Sequence, residues 1–157
     1  MSVHEEWLKG LAKFRAGINS AGMEVSLPPP SMLELGLHYL EVKPGVSMKA
    51  KLPFQQRFTN PVGTFQGGFL AAGLDDVFGP LSYVTTGRTC LTLSLNMTFL
   101  KAFTEKMQFC TVEAFVLQTT KTFVFMRGEI RTPEGELLAH AESHVTILRD
   151  DQMQRKT

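Results

Sequence analysis

From Cys90 to Phe99 apolar and polar residues take turns. Leu91, Leu93, Leu95, Met97 and Phe99 alternate with Thr92, Ser94, Asn96 and Thr98. A period of two is that of a half-buried strand, and it assigns Thr92 to the solvated face. Residues 107–118, 122–131 and 136–148 read as further strands. Thr104-Glu105-Lys106, Thr119-Thr120-Lys121 and Thr132-Pro133-Glu134-Gly135 separate them as short turns. Upstream, 32–42 and 46–52 flank the turn signal Lys43-Pro44-Gly45 and read as another strand pair. Connections this short make neighbours antiparallel.

Two stretches carry a helical period instead. In 4–19, Trp7, Leu8, Leu11, Phe14 and Ile18 recur three to four apart, predicting an amphipathic helix that ends near Gly17 or Gly22. Pro28-Pro29-Pro30 then forces an extended connector. The second stretch follows Asn60-Pro61-Val62-Gly63-Thr64-Phe65-Gln66-Gly67-Gly68, a polar, glycine-rich turn, and is apolar on nearly every face. Such a helix must be wrapped by the rest of the fold. Pro80 predicts a kink or thinning near Gly79, and Thr86-Gly87-Arg88 ends the helix. The sum is α+β: five or six antiparallel strands curved around one central helix, plus an N-terminal helix. One domain is predicted over 1–157, with helix and connector in 1–27, the core in 28–149 and a polar, frayed tail in 150–157.

Composition narrows the function. With 43% apolar and 20% charged residues the chain is ordinary globular, and a net charge of +1 argues against nucleic acid or an anionic membrane as partner. No apolar run is long enough to span a membrane, and no basic-then-apolar leader opens the chain. Cys90 and Cys110 sit in apolar strand-like runs, which suits reduced thiols and a cytoplasmic location.

The chemistry gathers at the central helix. Its glycine-rich start leaves first-turn N–H groups uncovered, able to polarise an anionic oxygen. Asp75 and Asp76 bring two charges into a long apolar stretch, an expensive thing to bury without purpose. Gly67 and Asp75 are eight residues apart, about 12 Å along a helix axis, so one protomer cannot bring both to one reacting atom. If both act, a twofold dimer supplies them, one from each chain.

The pattern Asn60-x-x-Gly63-x-x-Gln66-Gly67-Gly68, with an acid nine residues after Gln66, resembles the hot-dog-fold acyl-CoA thioesterases, nearest the branch of the phenylacetate pathway. The strand from Thr92 to Lys101 also resembles that family, and the resemblance spans roughly 33–148. It implies a hot-dog fold and hydrolysis of an acyl-CoA thioester in a homodimer or a dimer of dimers. Coenzyme A would enter as part of the substrate, with no cofactor and no metal. By the same resemblance Gly67 N–H holds the thioester carbonyl and Asn60 faces the nucleophile. Asp75 of the partner subunit is base or nucleophile, and Thr92 helps to orient water. Gly68 and Phe65 would line the substrate site, and Arg57, Arg88 and Lys101 are candidates to meet the nucleotide phosphates. One residue departs from the family: Gln66 stands where histidine is usual, and an amide can donate a hydrogen bond but cannot carry a proton.

Bland readings compete with each assignment. Asp75 and Asp76 could instead pair with basic residues across an interface, with Asp76 the rival for the catalytic role. Gly67 and Gly68 also serve close helix–strand packing. His140, Glu142 and His144 share a strand face but read as sheet surface rather than a metal site. The functional alternative is a protein that holds acyl-CoA without cleaving it, which Gln66 keeps open. A hot-dog dehydratase is weaker, because no histidine lies between His38 and His140.

Overall fold

The computed structural model describes residues 1–19 and 26–149. Residues 20–25 and 150–157, with the side chains of 12–19, lie outside the described part, and with them the alternative helix stop at Gly22 and the expected frayed tail. Helix α1 spans Val3–Asn19. Ser2 and Glu5 cap it reciprocally: Ser2 N donates to Glu5 Oε2 and Glu5 N to Ser2 Oγ, which satisfies two orphan donors at once. A short helix α2, Pro30–Leu35, follows. Strands β1 (His38–Lys43) and β2 (Ser47–Pro53) form a hairpin, and helix α3 covers Gly67–Thr86. Strands β3 (Cys90–Phe99), β4 (Phe109–Thr119), β5 (Phe123–Arg131) and β6 (Leu137–Ile147) complete the chain. No helix among the described residues is long and apolar enough to cross a membrane.

All six strands lie in one antiparallel sheet, in the order β1-β2-β4-β5-β6-β3. The sheet curves around α3, which buries Leu70, Leu74, Val77, Phe78 and Leu81 against it. Burying each such side chain stabilises the fold by roughly 1.5–3 kcal/mol. The helix rests on β5 at Gly128, where an added Cβ would come within 2.7 Å of Phe78 Cζ and 2.8 Å of Leu74 Cδ1. Only glycine permits that approach.

Two local predictions are corrected. The strand read over 32–42 begins only at His38, because Pro30, with no N–H to leave unpaired, starts a helix instead. That helix stops where Gly36 N donates to Leu33 O and Leu37 N to Met32 O. Nor does α3 thin out at Gly79; it continues through Pro80 to Thr86, and Gly87 caps it in the left-handed conformation. Pro80 cannot donate to the Asp76 carbonyl four residues earlier. Tyr39 Oη does so instead, at 2.6 Å. A buried hydroxyl on β1 thus replaces the missing helix bond.

Candidate active site

The glycine-rich turn is held by its own asparagine. Asn60 Oδ1 accepts from the backbone N–H of Val62 and of Thr64, each at 3.1 Å, and Asn60 Nδ2 donates to Thr64 Oγ1 at 2.8 Å. Every polar atom of that side chain therefore serves the loop. Phe65 N donates to Phe103 O and Gln66 N to Phe58 O, fixing the chain just before α3. The Phe65 ring is buried among Phe54, Phe58, Phe69 and Phe103. Gln66 O accepts from Phe69 N and Leu70 N, while the exposed Gln66 side chain makes no capping bond. The amides of Gly67 and Gly68 have no acceptor among the described residues, as the first turn of a helix requires. The edge of Phe99 stands where a Gly67 side chain would go, 2.9 Å from an ideal Cβ. Thr64, Phe65, Gly67, Phe99 and Lys101 border an open depression of about 360 Å³ at this helix start.

A little over two turns down α3, Asp75 meets Thr92: Thr92 Oγ1 donates to Asp75 Oδ1 at 2.9 Å. Simple alternation along β3 does not allow this contact. A bulge between Thr92 and Ser94 leaves Leu93 opposite no residue of β6. Beyond the bulge, Leu95, Met97 and Phe99 sit opposite the buried Ser143, Ala141 and Ala139. Before it, Cys90 and Thr92 sit opposite the buried Ile147 and Val145. One inserted residue reverses the parity, turns Thr92 toward α3 and leaves Leu91 and Leu93 exposed. Thr92 stays exposed in the single chain, as the sequence pattern predicts, and the bulge adds its contact with Asp75.

Asp76 points elsewhere, about 100° around the helix. Its Oδ1 accepts from Ser31 Oγ at 3.0 Å, and its Oδ2 is buried without a partner. Burial raises its pKa to about 6, with the neighbouring Asp75 adding to the effect and the Ser31 hydrogen bond opposing it. Ser31 and Tyr39, which hold the Asp76 residue by side chain and backbone, carry no sequence signal: both contacts cross some forty residues of chain.

The basic candidates are dispersed. Arg57 pairs with Glu34 at 2.9 Å and donates to the Glu34 carbonyl at the end of α2. Arg88 donates to Leu148 O at 2.6 Å, about 30 Å along α3 from Gly67. Lys101 borders the depression at Gly67 and pairs with Glu136. On the outer sheet face His144 packs edge-on to Phe125, while His140 and Glu142 are exposed. No three metal-ligating side chains cluster among the described residues.

Residues 63–139, from the glycine-rich turn to the start of β6, match the Thioesterase superfamily. Over that stretch the chain is similar to that superfamily. Its fold is the hot-dog fold, as solved structures show. The phenylacetic acid degradation-related protein of Ralstonia eutropha JMP134 is 29% identical, with a TM-score of 0.70 over 82% of this chain and 96% of its own. The phenylacetic acid degradation protein of Thermus thermophilus is 26% identical, with a TM-score of 0.68 over 76% and 100%. The PaaI protein of the E. coli phenylacetic acid degradation operon shares the fold alone, at 15% identity and a TM-score of 0.73 over 90% and 96%. No curated protein matches the sequence. Within this fold, Thr92 and Asp75 are brought into contact, and Gly67 lies with Phe65, Phe99 and Lys101. The two groups remain about 12 Å apart along α3.

Proposed function

We propose that the protein hydrolyses acyl-CoA thioesters at a site shared by two protomers, with Gly67 of one and Asp75 of the other. The observation that carries this is the solvent-accessible hydrogen bond from Thr92 to Asp75, made where a bulge turns the Thr92 hydroxyl onto α3. It orients the carboxyl and leaves Oδ2 for a substrate or water. A dimer through β3 is supported by that strand's place at the sheet edge. Leu91 (54% exposed), Leu93 (58%) and Leu100 (55%) stand open beside it, and an uncovered apolar edge of this kind invites pairing. Two free thiols support a reducing, cytoplasmic setting.

In the reaction, the thioester oxygen lies against the Gly67 N–H. The Asp75 carboxylate takes a proton from water, whose oxygen attacks the carbonyl carbon. Charge gathers on the thioester oxygen, where a helix-start donor is typically worth about 3–4 kcal/mol. Collapse breaks the C–S bond, and Asp75 returns its proton to the leaving thiolate, giving free acid and coenzyme A. The exposed Gln66 can donate a hydrogen bond but takes no part in proton transfer. Lys101, which borders the depression at the helix start, is assigned to the nucleotide phosphates.

The test is thiol release from a panel of acyl-CoAs by wild type, Asp75→Asn and Asp76→Asn. Loss of the base is expected to lower kcat at least about 100-fold in Asp75→Asn, with acyl-CoA binding retained. Turnover that survives Asp75→Asn but is lost in Asp76→Asn overturns the assignment of the base. Binding without turnover of any thioester by wild type leaves a protein that holds acyl-CoA uncleaved, the reading that Gln66 keeps open.

A further inference from the structure

A cavity of about 180 Å³, unused by the chemistry above, lies beside α3 with neither Asp75 nor Thr92 in its lining. Gly79 and Tyr83 of α3, Cys90 of β3, Tyr39 of β1, and Trp7 and Leu11 of α1 line it, and its walls are overwhelmingly apolar. Two independent neighbours connect it to the carboxyl. Gly79 follows Asp75 by four residues, on the same side of the helix and about 6 Å along its axis. Cys90 precedes Thr92 by two on the same face of β3, ahead of the bulge. The space exists partly because a side chain is missing: a Cβ on Gly79 would meet no atom within 4 Å. Glycine inside a helix costs about 1 kcal/mol relative to alanine, so an open helix face here is bought with stability.

We propose that this cavity receives the far end of the acyl group, and that α1, through Trp7 and Leu11, closes it and limits the length accepted. The inference rests on the hydrolase reading for the position of the thioester. An apolar cavity of about 150 Å³ is enough for benzene. With the span from Asp75 added, the occupant is an uncharged alkyl or aryl-ended acyl group of about six to ten carbons. A carboxylate-ended acyl group is disfavoured, because among the described residues the lining offers no counter-charge to a desolvated anion.

The two ends of the argument call for opposite variants: Gly79→Leu to fill the cavity, with Gly79→Ala as the milder fill, and Trp7→Ala to open it. Thiol release is followed on acetyl-, octanoyl- and dodecanoyl-CoA. Expected are a wild-type preference for octanoyl-CoA and an octanoyl-to-acetyl ratio of kcat/KM about tenfold or more lower in Gly79→Leu. Trp7→Ala moves the optimum toward dodecanoyl-CoA. An unchanged ratio in Gly79→Leu overturns the cavity's role, and an unmoved optimum in Trp7→Ala overturns that of α1. If wild type cleaves none of the three, the hydrolase reading fails, and calorimetric affinities decide the cavity alone. Octanoyl-CoA binding more tightly than acetyl-CoA, with the difference erased in Gly79→Leu, supports it; equal affinities overturn it.

Discussion

Replacing Asp76 by asparagine should make the protein more stable at neutral pH. The carboxyl is largely buried, its Oδ2 has no partner, and its pKa stands at about 6 against 3.8 for the free group. Between about pH 4 and 6 the folded chain holds a proton that the unfolded chain has released. Stability therefore falls as pH rises through that window and stays lower above it. A shift of about two units corresponds to roughly 3 kcal/mol, which partial solvent screening of this side chain reduces to about 1–2 kcal/mol. Asparagine keeps the bond to Ser31 and has no charge to desolvate. Urea unfolding followed by circular dichroism, at fixed protein concentration and several pH values from 4 to 8, measures the difference. Asp76→Asn should match wild type near pH 4 and exceed it by about 1–2 kcal/mol above pH 7, a Tm rise of roughly 2–8 °C for a domain of this size. Parallel pH profiles, or a variant less stable than wild type at pH 8, would refute the claim that Asp76 is ionised at an energetic cost.

Tyr39→Phe leaves the Asp76 carbonyl without a donor at Pro80 and should destabilise the fold by about 1–3 kcal/mol in the same urea assay; no change would mean that water or a local adjustment takes over the acceptor. Thr92→Val keeps the shape but removes the donor to Asp75. It should lower kcat about tenfold or more with little change in KM, whereas Thr92→Ser restores most of the rate. A purely structural threonine would not be rescued in this way.

The sheet and its central helix are written in local patterns that survive folding. The period of two in 90–99 and the apolar run after Gly67 predict β3 and α3 because each reflects burial on one face or on all faces. What escapes is what depends on distant chain. The parity reversal at Leu93 is set by β6, whose register decides which side chains face inward, and no residue in β3 announces it. Pro80 looks like a helix breaker until Tyr39, from the far edge strand, supplies the bond it removes. The short helix at Pro30–Leu35 hides in a stretch that also suits a strand, and proline and glycine at its two ends decide the matter. In the candidate site, the residue types at Asn60, Gly67 and Asp75 were legible. The role of the Asn60 amide in closing its own loop was not, since its partners lie only two and four residues away and any turn could have used them.

Strand β3 precedes β4 in the chain but hydrogen-bonds only to β6, the last strand to be made. During synthesis the segment carrying Thr92 must therefore wait, unpaired, while some forty further residues emerge. Contacts of such long sequence separation form slowly, and the exposed leucines of this segment are the part of the nascent chain most in need of shielding. The edge that carries Thr92 is thus the last piece of the architecture to be assembled, and a chain interrupted before β6 would leave β3 without its partner strand.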